Sequence, residues 1–299
     1  MICEGRIVAV TGGARGLGRE YILEFAKQGA KVVINDLGVA RDGTGGGSDA
    51  ADALVEEIKA AGGQAVANYA DVADWEGSGS IVKTALDAFG GLDVIVNNAG
   101  FLRDRMFANA TVEEWDAVMR VHLRGHFCVA NHAVRYWRDQ SKAGQKVDAR
   151  IINTSSGAGL QGSIGQAAYS AAKGGIASLT LVQAAELRRY GITANALAPA
   201  ARTRMTEEAF GDAMKAPESG FDVNAPANVA PLVAWLGSAE SAHVTGKVFE
   251  VSGGRICLAD GWRDGPEVDK GARWDPAELG PVMADLLARE APVKKVWGS

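Results

Sequence analysis

Short aliphatic and β-branched runs alternate along this chain with segments of helical periodicity, the pattern of a parallel sheet covered by helices. Seven runs read as strands: residues 6–10, 31–35, 64–70, 92–97, 150–154, 193–197 and 248–251. Most are apolar at nearly every position rather than alternating, which is how strands buried on both faces read. Between them, Leu17, Tyr21 and Phe25 recur at every fourth position into a predicted helix over 18–28, and Leu54 and Ile58 do the same over 52–60. The order βαβαβα predicts an α/β fold built on a doubly wound parallel sheet.

The pattern changes after Gly254. Residues 1–254 read as one dinucleotide-binding catalytic domain, and 255–299 as a C-terminal extension, charged and bearing Trp262, Trp274 and Trp297, with a helix predicted over 276–289. The extension is too short to be a second catalytic domain. The one low-complexity stretch, 41–48, follows the second strand; it reads either as a loop over whatever binds there or as a passive linker.

Composition narrows the partners. With 299 residues, 47% hydrophobic and 22% charged, the chain can bury a full core, and disorder and coiled coil are excluded. Thirty-one Lys and Arg against 36 Asp and Glu leave a net charge of -5 and no basic field to hold nucleic acid. Cys3, Cys128 and Cys257 are odd in number and far apart, so neither a disulfide framework nor a zinc site is expected. No charged-then-apolar leader and no 18-residue apolar run are present, so no membrane partner is expected and the cytoplasm is the expected location.

Directly after the first strand comes Thr11-Gly12-Gly13-Ala14-Arg15-Gly16-Leu17-Gly18, and a helix follows. Glycines there let the backbone turn tightly, approach a pyrophosphate and pack helix on strand, while free helix amides face the anion. Asp36 stands 20 residues beyond Gly16, at the end of the second strand, the spacing at which a carboxylate reaches the adenine ribose. A carboxylate accepts from a free 2′-hydroxyl and repels a 2′-phosphate, which favours NAD, although Arg15 and Arg41 could pair with that phosphate.

Further along lie Asn97-Asn98-Ala99-Gly100 after the fourth strand, Ser155-Ser156 after the fifth, and Tyr169-Ser-Ala-Ala-Lys173 opening a helix. Open α/β sheets bind ligands at these carboxyl ends. Tyr169 and Lys173, four apart, share a helix face. A phenol titrating near 10 is a poor base at neutral pH, and an adjacent ammonium stabilises its phenolate. Ser156, 13 residues upstream of Tyr169, can hold a substrate oxygen near the phenol.

These motifs, in this order, resemble the short-chain dehydrogenase/reductases over about residues 5–254. The resemblance implies a Rossmann-type fold, hydride exchange between a nicotinamide cofactor and a secondary alcohol or ketone, and Ser156, Tyr169 and Lys173 as the acting residues. It implies that the cofactor meets Gly12, Arg15, Gly16, Leu17, Gly18, Asp36, Asn98, Ala99, Gly100 and Pro199. It also implies Asp71 and Val72 against the adenine, Tyr169 and Lys173 at the nicotinamide ribose, and Thr203 at the carboxamide.

A closer similarity, carried by Asn35-Asp36-Leu37-Gly38, Ala65 to Tyr69, Leu102 to Arg105, Val121 to Gly125 and Gly271 to Trp274, is to the (3R)-hydroxyacyl-CoA dehydrogenase units of type 2 peroxisomal multifunctional enzymes. It implies a (3R)-3-hydroxyacyl-CoA substrate, with a hydroxysteroid or, on NADPH, a 3-oxoacyl thioester as alternatives. Two positions depart from the family. His122 replaces an Asn that holds a relay water through its backbone, and the imidazole itself is a candidate for that relay. Pro199-Ala200 replaces the usual Pro-Gly.

Loss of Tyr169 or Lys173 would have pointed to a non-catalytic NAD(H)-sensing module, and both are present. The four histidines are too scattered for a metal site. In the extension, Trp262, Trp274 and the Leu279, Met283, Leu286 and Leu287 stripe need a surface to cover. Because the family resembles dimers and tetramers, the expected surface is a partner subunit in a homodimer or homotetramer.

Overall fold

A computed structural model describes residues 1–39, 45–202 and 215–299. The strands are β1 (Ile7–Thr11), β2 (Lys31–Asn35), β3 (Gln64–Asn68), β4 (Val94–Asn97), β5 (Ala149–Thr154), β6 (Ile192–Ala200), β7 (Val248–Ser252) and β8 (Arg255–Leu258). They form one sheet in the order β3-β2-β1-β4-β5-β6-β7-β8. All neighbours pair in parallel except β7 and β8, which are antiparallel. Strand order reverses between β1 and β4, and a crevice opens there above the carboxyl ends.

The helices are α1 (Gly16–Lys27), α2 (Asp49–Ala60), α3 (Trp75–Phe89), α4 (Val112–Met119), α5 (Gly125–Lys142), α6 (Gly157–Gln161), α7 (Ala167–Leu187), α8 (Ala230–Gly237) and α9 (Leu279–Ala288). Side chains of a strand alternate between faces, so each sheet face has its own core. Val8, Val10, Val32, Ile34, Val94 and Val96 pack against α1, α2 and α8. Ile7, Ala9, Val33, Ile95 and Ile151 pack against α3, α5 and α7. Two covered faces are the reason these strands read as unbroken apolar runs.

All seven predicted strands are present, β2 with the expected ends and the other six with shifted ones. β3 stops at Asn68, two residues short of the expected end, where the Asn35 side-chain amide takes the Asn68 side-chain oxygen at 2.9 Å and the Ala70 carbonyl at 2.9 Å. β4 starts at Val94, two residues later than expected, and the Asp93 carboxylate just before it accepts from the Ile7 N–H at 2.8 Å. β8 is an eighth strand that the pattern did not predict. It turns back at Gly253, whose φ of 54° is left-handed, so the sheet continues into the segment read as the extension.

The predicted C-terminal helix opens with a short 3-10 turn, Pro276–Glu278, before α9. No residue of α9 is buried, Leu287 is 63% exposed, and Trp262 is fully exposed. Within this chain Leu279 and Leu286 are half-buried and Met283 and Leu287 exposed, whereas Trp297 and Gly298 return to the cleft above the sheet. Among the described residues no helix is long and apolar enough to cross a membrane.

Candidate active site

The glycine loop is held by the end of β1. Thr11 Oγ1 accepts from the Asn98 and Ala99 N–H groups at 2.9 and 3.1 Å, and Asn98 Nδ2 donates to the Thr11 and Gly12 carbonyls at 3.0 and 3.1 Å. Asn98 thus ties two strand ends together. Gly12 has φ 61°, and a Cβ on it would lie 2.9 Å from Ala99 Cα. A Cβ on Gly18 would lie 2.0 Å from the Gly12 carbonyl oxygen, so only glycine lets α1 start this close to the loop. No side chain caps α1, and its first residues, Gly16 and Leu17, line the cleft, which leaves the positive end of the helix at the ligand surface. This cradle fits a pyrophosphate.

Asp36 stands at the rim of the same cleft. Its Oδ2 accepts from Ala14 N–H at 3.0 Å and its Oδ1 from Gly38 N–H at 2.8 Å. Each carboxylate oxygen accepts twice, so one site per oxygen remains for a pair of ribose hydroxyls. Arg15 reaches across to the Val39 carbonyl at 3.3 Å. Asp71 pairs with Arg120 at 2.7 Å and also accepts from Ala73 N–H, while Val72 lines the cleft beside it. Arg41 and Thr203 lie outside the described residues.

At the other end of the cleft the chain brings Ser156, Tyr169, Lys173 and His122 together. Thr154, Ser155 and Ser156 leave β5, and α7 passes beside them. Lys173 Nζ donates to the Thr154 carbonyl at 2.6 Å, and Ser155 Oγ donates to the Lys173 carbonyl at 2.8 Å, which fixes α7 to the strand end. Ser156 caps α6 by accepting from Ala158 N–H at 3.2 Å. Lys173 is 2% exposed, and burial pushes its amine down to about 7. Burial pushes the Tyr169 phenol up; its hydrogen bond with Ser156 opposes that rise, and the nearby Asp104 charge adds to it. The ammonium lies 5.6 Å from the Tyr169 ring centroid. Burial thus brings the amine nearer to neutral-pH proton exchange and takes the phenol further from it, so forming the phenolate needs a positive charge beside it.

His122 sits in a π-helical turn, Arg120–Arg124, inserted between α4 and α5. The widened turn directs the imidazole inward, edge-on to Tyr169 with ring centroids 5.3 Å apart. A Cβ on Gly100 would lie 2.2 Å from His122 Cε1, so the imidazole fills the space that glycine leaves. Nε2 lies 2.7 Å from the Phe101 carbonyl oxygen and 3.1 Å from the Phe101 N–H, so it meets the Phe101 backbone in either tautomer. Burial, with the Lys173 charge, pushes the imidazole down to about 3, so it is neutral at neutral pH.

The whole cleft encloses about 980 Å³. Its walls include residues for which pattern reasoning supplied no signal. Asp104, held by Gln166 Nε2 at 3.1 and 3.2 Å, faces the phenol, and Trp297 arrives from the far end of the chain. Contacts of that kind have no sequence spacing to be read from.

Comparison with known proteins agrees with this geometry. The family model described as short chain dehydrogenase matches residues 6–213. The chain is 43% identical over 295 residues to hydroxyacyl-CoA dehydrogenase ChsB1 of Mycobacterium tuberculosis, covering 96% of this chain and 90% of that protein. It is 48% identical over 253 residues to peroxisomal multifunctional enzyme type 2 of Mus musculus, covering 85% of this chain and 32% of that much longer protein. The crystal structure of a short chain dehydrogenase from Mycobacterium avium superposes with a TM-score of 0.90 at 59% identity, each chain covered completely. The glycine cradle, the converging side chains and these relatives together place the chain in the short chain dehydrogenase family, as an oxidoreductase that works with a nicotinamide cofactor.

Proposed function

We propose that the protein interconverts (3R)-3-hydroxyacyl-CoA and 3-oxoacyl-CoA thioesters with NAD as its cofactor. The observation that carries this reading is a single cleft with Asp36 and the glycine cradle at one end and Ser156, Tyr169 and Lys173 at the other. The thioester class is supported by a relative, 43% identical, that is named a hydroxyacyl-CoA dehydrogenase. NAD is supported by the Asp36 carboxylate, whose remaining acceptor sites suit a free ribose diol and repel a phosphate.

The dinucleotide, when bound, supplies the hydride acceptor for alcohol oxidation. Tyr169 Oη takes the proton of the substrate hydroxyl, and Ser156 Oγ donates to the same oxygen and holds it at the phenol. Lys173, when protonated, stabilises the phenolate that this proton transfer needs. In reduction the same groups run in reverse, with the phenol as acid. His122, neutral and bonded to the Phe101 backbone, buttresses the ring of Tyr169. A homo-oligomer is supported by exposed Phe127 on α5 and by exposed Leu181 and Val182 on α7.

Steady-state turnover of 3-hydroxyacyl-CoA thioesters and hydroxysteroids with NAD and with NADP tests the reading. Tyr169→Phe is expected to lower kcat by at least about 10² with cofactor affinity nearly unchanged, because the phenol supplies acid-base catalysis and not the grip on the dinucleotide. A Tyr169→Phe enzyme that keeps most of its kcat would overturn the acid-base assignment, and a preference for steroids would overturn the substrate class.

A further inference from the structure

The last residues of the chain form a strap across the mouth of the cleft. Lys294 Nζ pairs with both carboxylate oxygens of Glu250, on β7, at 2.7 Å. Beyond it, the Trp297 N–H donates to the Gly162 carbonyl at 3.2 Å, and the Trp297 carbonyl accepts from the Ile164 N–H at 2.9 Å. This short parallel pairing sets the strap against the loop between α6 and α7. Gly298 follows with φ 89°, a bend that glycine adopts without strain, and a Cβ on it would lie 3.3 Å from Ile164 Cβ.

The indole itself lies over Gly157, the residue after Ser156. A Cβ on Gly157 would sit 2.4 Å from Trp297 Cη2 and 2.5 Å from Cζ2, so the ring occupies the space that a side chain at position 157 would take. Trp297 stays 43% exposed while lining the cleft that holds Ser156 and Tyr169. A flat apolar ring, fixed at its backbone and open on the substrate side, is a surface for an apolar group to cover and a limit on its bulk.

We infer that Trp297 is a specificity-determining residue, forming the wall beside the reacting carbon against which the acyl group of the substrate lies. The inference rests on the dehydrogenase reading above, since Ser156 and Tyr169 mark where the reacting carbon sits. A ring one residue from Ser156 meets the first carbons of the acyl chain. It favours slim chains and excludes branched or ring-bearing ones close to the thioester.

The test is the ratio of kcat/KM for a bulky, ring-bearing 3-hydroxyacyl-CoA to that for 3-hydroxybutyryl-CoA, measured on the full chain with NAD. Trp297→Ala is expected to raise that ratio by about tenfold or more, the scale on which apolar pockets discriminate size. Trp297→Phe should move it in the same direction by less, and it carries the test if the alanine variant does not fold. A ratio within about twofold of wild type in Trp297→Ala, or in Trp297→Phe where only that variant folds, overturns the inference, even if the melting temperature falls, because a merely structural ring moves stability without moving selectivity. If wild type turns over no thioester, the substrate reading fails by itself. The wall is then read from the same ratio on a large and a small free secondary alcohol.

Discussion

Replacing Lys173 with methionine should make this protein more stable while removing a group the chemistry needs. The side chain is 2% exposed, and burial lowers its amine from 10.5 to about 7. That difference corresponds to roughly 5 kcal/mol of lost hydration for the charged form, as an order of magnitude. Methionine has a similar length and no charge, so it removes that cost. It also leaves the Thr154 carbonyl without the 2.6 Å bond that Lys173 makes, which costs about 1–3 kcal/mol. The balance favours the variant by about 2–4 kcal/mol, or a rise of about 3 °C or more in the melting temperature of a domain this large.

Its pH dependence makes the prediction specific. Because the folded amine has the lower pKa, the folded chain binds fewer protons than the unfolded chain between about 7 and 10.5. The penalty is complete below 7 and is relieved as pH rises through that window. Thermal unfolding of both proteins followed by circular dichroism should therefore give the largest difference at about pH 6 and a smaller one at about pH 9. A variant that melts below wild type at the lower pH, or a difference that stays constant across the range, would refute the reasoning.

Two further substitutions probe the cofactor end. Asp36→Ala removes a carboxylate and the anchor of the Ala14 and Gly38 amides, so KM for NAD should rise about tenfold and the preference over NADP should relax, read as the ratio of kcat/KM values. A wild-type enzyme that already prefers NADP would show that Arg15 and the loop beyond β2 outweigh the carboxylate. Gly18→Ala puts a methyl 2.0 Å from the Gly12 carbonyl oxygen, and titration of the cofactor by fluorescence should show binding largely lost. Unchanged affinity would mean that the start of α1 can move away from the loop.

The sheet was legible in the chain because its causes are local. Val8 and Val10 face one core and Ile7 and Ala9 the other, so a central strand buried on both faces shows as an unbroken apolar run. The glycine loop and the Tyr169–Lys173 pair were legible for a related reason. Backbone approach demands glycine at particular positions, and a helix turn puts residues four apart on one face. Strand β8 was not legible, since three exposed residues and a half-buried Cys257 at a sheet edge carry no burial pattern.

What folding alone decided are contacts between residues far apart in sequence. The downward shift of Lys173 comes from the packing of α7 against the end of β5. The inward turn of His122 comes from one π-helical turn and from the space left at Gly100. At the end of the extension, residues 294–297 close on the cleft of this chain, through Glu250 and the Gly162 and Ile164 backbone. Periodicity and spacing register what a residue needs from its neighbours in sequence. They do not register which distant surface will meet it, because that is set by the packing free energy of the whole chain.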